Sequence, residues 1–309
     1  MDIFTQQLAN GLILGSIYAL IALGYTMVYG IMGLINFAHG EVVMVGAMIA
    51  ISVITALNGA GLDLPGILLV SAGLFVAIPA CALLGYGIER VAYRPLRNAP
   101  RLAPLITAIG VSIVLQNLAM LFWGRGYKPF PAVLPQDSFE LFGAHLTPVK
   151  VAIVIVSFLL MLGLWLLVER TKLGRAMRAT AQNPRAAQLM GVDTNRIIAA
   201  TFIIGSMLGA VAGVMVSANY GQADPYMGFM LGLKAFAAAV LGGIGNLGGA
   251  VLGGLLLGVI ESLGAGYIGD LTGGVLGSNY QDIFAFLVLI CVLVFRPSGL
   301  LGERVAERA

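Results

Sequence analysis

Eight stretches of this chain are apolar over lengths that match a bilayer. Six carry no Asp, Glu, Lys or Arg at all: Leu8–Ala38, Val42–Leu62, Gly66–Ile88, Leu102–Trp123, Ile197–Ala218 and Ala235–Ile260. Val149–Val168 and the last run, about Asn279–Phe295, carry one charge each near their starts, Lys150 and Asp282. A crossing helix needs about 20 such residues. In lipid the backbone must satisfy its own hydrogen bonds, which a helix does within one segment. The fold class is therefore an all-α polytopic membrane protein. Composition agrees: charged residues are 10% of the chain, against about 25% in soluble domains.

Two runs are too long or too glycine-rich for one helix. Leu8–Ala38 should break near Ile31–Glu41, at Gly30, Gly33 and Asn36. Ala235–Ile260 is split by Gly242-Gly243-Ile244-Gly245-Asn246-Leu247-Gly248-Gly249, which favours a hairpin or a pair of half-helices. Glu261–Ser278 reads as a Gly-rich loop, and Pro95 and Pro100 should stop any helix in Glu89–Arg101. This predicts about eight membrane elements in a single domain over residues 1–309. Gly30-Ile31-Met32-Gly33-Leu34 with Phe37-Ala38 is echoed by Gly228-Phe229-Met230, Gly232-Leu233 and Phe236-Ala237, a possible inverted repeat.

The basic residues are concentrated in Glu89–Arg101 (Arg90, Arg94, Arg97, Arg101), in Glu169–Arg196 (Arg170, Lys172, Arg175, Arg178, Arg185, Arg196) and in the tail (Arg296, Arg304, Arg308). Such loops stay on the cytoplasmic side. Three crossings before Glu89 then place the N-terminus outside, and the C-terminus is cytoplasmic. Between Arg196 and the tail, one crossing exits and the last returns, so Ala235–Ile260 must cross an even number of times. The N-terminal run has no Lys or Arg before it and no small-residue cleavage site after it, and is read as retained.

Within Glu169–Arg196, Asn183-Pro184 is a helix start, with an N-cap and proline at the first helical position. Gly191 is a helix stop. A short helix over Pro184–Met190 with Ala186 and Ala187 on one face could enter a groove on another protein; an ordinary solvated loop is the alternative.

Catalytic signals are absent from the sequence. None of the four lysines follows a glycine, so no Gly-x-x-x-x-Gly-Lys-Ser/Thr loop exists to hold ATP. The two histidines, His39 and His145, have no second His at ligand spacing, and Cys81 and Cys291 lie inside apolar runs as packing residues. No enzyme activity, metal or cofactor is expected of this chain.

Arg185-Ala186-Ala187-Gln188-Leu189-Met190-Gly191 resembles the coupling loop of ABC importer permeases, with Arg185 standing where that family has Glu. Gly24-Tyr25-Thr26-Met27-Val28-Tyr29-Gly30, Asn36-Phe37-Ala38-His39-Gly40-Glu41, Glu89-Arg90-Val91-Ala92-Tyr93-Arg94-Pro95, Lys234-Ala235-Phe236 and Ala239-Val240-Leu241-Gly242-Gly243-Ile244-Gly245 are similar to LivH-type branched-chain amino acid permeases. The resemblance implies a bacterial inner-membrane permease subunit for leucine, isoleucine and valine. Its partners would be a LivM-like second permease, two cytoplasmic ATPases that use ATP and Mg, and a periplasmic binding protein. On the matched motif, Pro184, Arg185, Ala186, Ala187 and Gly191 would contact the ATPases. A urea or short-amide importer and an ion-coupled carrier are the alternative functions.

Asn36, His39, Glu41, Gln116, Asn117 and Lys234 are candidate pathway or gating residues, because polar groups inside a membrane are costly. Each also has a structural reading. Glu41 could pair with His39 or a backbone N–H, Lys234 could snorkel to the outer headgroups, and Gln116 and Asn117 could satisfy neighbouring helices.

Overall fold

The structure is a computed structural model that describes residues 2–61, 64–97, 99, 100, 102–135, 137–141, 143–273 and 280–302. Arg101, the tail with Arg304 and Arg308, and residues 274–279 lie outside the described residues.

Among the described residues, eleven α-helices follow the predicted runs closely. They are α1 (Asp2–Met32), α2 (His39–Gly59), α3 (Gly66–Ile88), α4 (Leu102–Trp123), α5 (Pro148–Arg170) and α6 (Lys172–Gln182), then α7 (Pro184–Leu189), α8 (Thr194–Tyr220), α9 (Met227–Gly242), α10 (Leu247–Leu271) and α11 (Gln281–Phe295). Seven are long and apolar enough to cross a membrane, and α9 and α11 are shorter apolar helices. The break expected near Ile31–Glu41 is present: α1 ends at Met32 and α2 starts at His39. The Gly-rich split is present as well. α9 ends at Gly242, Gly243 and Gly245 take φ +106° and +98°, and Asn246 caps α10 by accepting from Gly249 N at 3.0 Å.

Two expectations fail. Glu261–Ser278 is not a loop from its start, because α10 runs on to Leu271. Glycine weakens helices in water, but neighbouring helices here supply the packing that propensity lacks. Pro95 and Pro100 do not keep Glu89–Arg101 free of helix either: the chain continues as a π-turn over Glu89–Tyr93 and a single 3₁₀ turn over Arg94–Leu96, and helical backbone ends only between the two prolines. Pro95 sits early in that turn, where its missing N–H costs nothing. The two copies of the possible repeat differ in conformation. Gly30–Ala38 closes α1 and forms the link to α2, while Gly228–Ala237 is helical throughout.

α1 and α8 are the central helices, 89% and 78% buried over their most apolar windows, against 22% for the α3 segment and 17% for α4. Glycines allow close helix contact. A Cβ at Gly15 would lie 2.7 Å from Leu255 Cα, and one at Gly254 2.5 Å from Ala19 Cα, so α1 and α10 touch backbone to backbone. Small strands cap the end that holds the N-terminus. β1 (Lys128–Pro129) pairs antiparallel with β4 (Gln222–Ala223), and β2 (Phe139–Leu141) with β3 (Ala144–Leu146). Gln6 Oε1 accepts from His145 N there at 2.7 Å. The basic segments, α6 and α7 share the opposite end.

Candidate functional site

Among the described residues, two places that hold candidates read from the sequence combine polar chemistry with unusual backbone. One lies at the basic end. Thr171 separates α5 from α6, and its Oγ1 accepts from Gly174 N at 3.0 Å. α6 is amphipathic: Leu173, Ala176 and Met177 pack on the core, while Lys172 and Arg175 are exposed. Arg178 bonds back to the Val168 carbonyl and pairs with Glu169 at 3.2 Å, which fixes α6 against the end of α5.

α7 then projects from this platform. Asn183 is extended, and its Oδ1 accepts from Ala186 N at 3.0 Å, with Pro184 at the first helical position. Gly191 takes φ +85°, and Met190 N and Val192 N bond to the carbonyls of Ala186 and Ala187 at 3.1 and 3.0 Å. Those bonds satisfy the last carbonyls of the helix, as glycine stops do. The predicted helix Pro184–Met190 is therefore present, one residue shorter. Ala187 is buried; Pro184, Arg185, Ala186 and Gly191 are exposed. At the tip, Leu189 and Met190 are 89% and 84% exposed. Two large apolar side chains on an otherwise polar, basic segment form a small knob, a feature the Ala and Gly spacing alone does not disclose.

The other place is the break between α1 and α2. Gly24 packs so tightly on His39 that a Cβ there would fall 2.2 Å from Nε2. Gly24 lies eight residues, about 12 Å, before the end of α1, so the chain doubles back after Met32 and α2 starts inside the bundle. α9 starts beside it: a Cβ at Gly40 would lie 2.2 Å from the Gly228 carbonyl oxygen. Broken helices that begin at mid-depth, with polar side chains beside them, are the usual construction of a transport site.

Asn36 is buried; its Oδ1 accepts from Ala38 N at 3.2 Å and from Tyr93 Oη at 3.0 Å. His39 meets the Tyr25 ring edge-on at 5.0 Å, and among the described residues its Nε2 has no hydrogen-bond partner. Glu41 is 1% exposed, with Oε1 accepting from Ser112 at 3.0 Å and Oε2 unpartnered. The expected pairing of Glu41 with His39 or a backbone N–H is thus replaced by a bond to a hydroxyl on α4. Oε2 is instead covered by Gly228, where a Cβ would come within 2.5 Å of it.

The remaining candidates are elsewhere. Asn117 is on an exposed face of α4, where its amide donates to the Ile113 carbonyl at 2.8 Å, and Gln116 is half-buried on the same helix. Lys234 does not snorkel to headgroups. It is buried, and Nζ lies 2.7 Å from both Glu261 Oε1 on α10 and Asp282 Oδ1 on α11. The first contact is an aligned hydrogen bond; the second is an ion pair by distance only. Tyr18 Oη on α1 also donates to Glu261, at 3.0 Å. Sequence reasoning missed Glu261, which reads as the edge of a loop. Its signal was being the first charge after a long apolar run.

Residues 7–293 match the family described as branched-chain amino acid transport system / permease component. The chain is 49% identical to the high-affinity branched-chain amino acid transport system permease protein BraD of Pseudomonas aeruginosa, over 99% of this chain and 98% of that one. It is 48% identical to the corresponding LivH of Escherichia coli K12, over 99% and 97%. A more distant relative, the autoinducer 2 import system permease protein LsrC of E. coli, is 32% identical over 74% of this chain and 66% of its own. With seven membrane-length helices and likeness along almost its whole length, the chain belongs to the branched-chain amino acid transport permease family.

Proposed function

We propose that this chain is a permease subunit of an ATP-driven importer for leucine, isoleucine and valine, moving them by alternating access. Near-complete coverage at 48–49% identity to BraD and LivH is the observation that carries the cargo. LsrC shows that related permeases serve other cargoes, but at lower identity and coverage. The subunit sits in the inner membrane, with its N-terminus outside and the basic end in the cytoplasm. A second permease completes the path, two ATPases use ATP and Mg below it, and a periplasmic protein delivers substrate. This chain contributes no ATP-binding loop.

A zwitterion is costly in hydrocarbon and needs a polar path. Asn36, His39 and Glu41, beside the starts of α2 and α9, are the groups best placed to offer one. Lys234 belongs to a paired cluster, and Asn117 is turned onto its own helix, so both support structure. Gln116 is half-buried on the same helix as Asn117.

α7 takes the input of work. Pro184, Arg185, Ala186, Ala187 and Gly191 shape it, and Leu189 with Met190 enters an apolar groove on the ATPase. The test replaces Leu189 and Met190 together with Asp. Membrane insertion is unchanged, because both side chains are exposed, while ATP-dependent leucine uptake is lost. Normal uptake in that variant overturns the coupling role, and competition of labelled leucine by urea at equal concentration overturns the cargo.

A further inference from the structure

The other basic segment is bonded to the coupling region and not merely beside it. Past Ile88 the chain widens into the π-turn Glu89–Tyr93, a form concentrated at functional positions. Glu89 is fully buried. Its carboxylate accepts from Arg97, and Arg94 Nε stands 3.9 Å away. A second N–H group of Arg97 reaches Asn195 Oδ1 in the first turn of α8. Next to Asn195, Thr194 Oγ1 accepts from Gln188 Nε2 of α7 at 2.7 Å.

The π-turn also faces the membrane site. Tyr93, 1% exposed, packs its ring 5.2 Å from that of Phe202 on α8, and its hydroxyl donates to Asn36 Oδ1 at 3.0 Å. Asn36 holds the start of α2 through bonds to Ala38 N and from His39 N to its own carbonyl, at 3.2 and 3.0 Å. One bonded run therefore joins α7 to the break between α1 and α2.

On the coupling role proposed for α7, we infer that the Glu89–Tyr93 π-turn relays the displacement of α7 to the α1–α2 break, with Arg97 and Tyr93 as its positioning residues. A relay needs an element with two discrete arrangements. A π-turn holds one residue more than the α-turn it replaces, so tightening it rotates and shifts the adjoining segment by a step. Glu89 gives the link its stiffness: separating a fully buried carboxylate from its guanidinium is costly, so it and Arg97 move together.

The experiment uses the full importer, with both permeases, the ATPases and the binding protein, in proteoliposomes. It measures labelled leucine taken up per ATP hydrolysed. Tyr93→Phe keeps the ring on Phe202 and removes one hydroxyl from the run. Arg97→Ala removes the bridge, and Arg97→Lys restores the charge facing Glu89. In Tyr93→Phe and Arg97→Ala, uptake per ATP falls roughly 2- to 30-fold while hydrolysis persists, and Arg97→Lys recovers part of the loss. An unchanged ratio in Tyr93→Phe, or uptake and hydrolysis falling in step, overturns the relay. Should Arg97→Ala fail to insert, Tyr93→Phe decides alone. The Leu189 and Met190 double variant separates the two ideas. If it retains uptake, the coupling role fails; if it loses uptake while Tyr93→Phe keeps its ratio, only the relay fails.

Discussion

Two groups of polar side chains inside the apolar bundle are held differently, one by ion pairs and one by hydrogen bonds alone. Around Lys234, one ammonium meets Glu261 and Asp282 at 2.7 Å each, and Tyr18 adds a hydroxyl bond to Glu261. Around Asn36, His39 and Glu41 the described residues form hydrogen bonds but no ion pair. His39 Nε2 and Glu41 Oε2 are buried without a hydrogen-bond partner, whereas Asp282 Oδ1, which also lacks an aligned hydrogen bond, has its ion pair. The first group ties α1, α9, α10 and α11 together. The second sits where α2 and α9 begin, against glycines. A paired cluster resists rearrangement, because separating buried charges is costly. Unpartnered buried groups lose little when their surroundings move, and gain when a polar substrate arrives. On the proposed function, this contrast assigns rigidity to one region and change to the other.

The most severe break in that contrast is Glu261→Gln, which keeps shape and removes the more deeply buried of the two charges facing Lys234. It is expected to cost about 3–5 kcal/mol, read as a fall in Tm of the detergent-solubilised protein. Pairing it with Lys234→Met and Asp282→Asn, so that neither the ammonium nor its second carboxylate stays behind unpaired, recovers most of the loss. If Glu261→Gln leaves Tm in place, the cluster is not what holds these helices.

Gly40→Ala comes next. Its methyl would meet the Gly228 carbonyl at 2.2 Å, forcing the starts of α2 and α9 apart. The cost is about 1–3 kcal/mol, and uptake is expected to fall further than the Tm shift explains. Glu41→Gln sharpens the comparison from the other side. Gln can still accept from Ser112, so stability changes by less than about 1 kcal/mol, whereas leucine uptake drops. A large Tm loss with Glu41→Gln would show that both clusters are structural. The smallest effect belongs to Asn117→Leu, on an exposed face, within about 0.5 kcal/mol and with uptake intact.

Much of the fold is legible in the chain because membrane helices announce themselves by length and absence of charge. α3 and α4 coincide with their apolar runs residue for residue. α7 was legible for a different reason: Asn183, Pro184 and Gly191 act through their own backbone geometry, which needs no neighbour. Glu261 was not legible, since glycines around it signal a loop in water and helix contact in a bundle. The fate of Lys234 was hidden likewise, its partner being 27 residues away on the next helix.

Sequence alone determined which segments are too apolar to leave the membrane, which end is basic, and where the short helix at that end starts and stops. These are local properties, fixed by hydropathy and backbone preference. Only the tertiary structure decided that Lys234 is neutralised by two carboxylates, that Glu41 faces Ser112 and Gly228, and that Tyr93 holds Asn36 across 57 residues. An apolar helix can turn any face toward any neighbour at similar transfer cost, so the neighbours are chosen by glycine contacts and buried polar pairs that exist only once the helices have met.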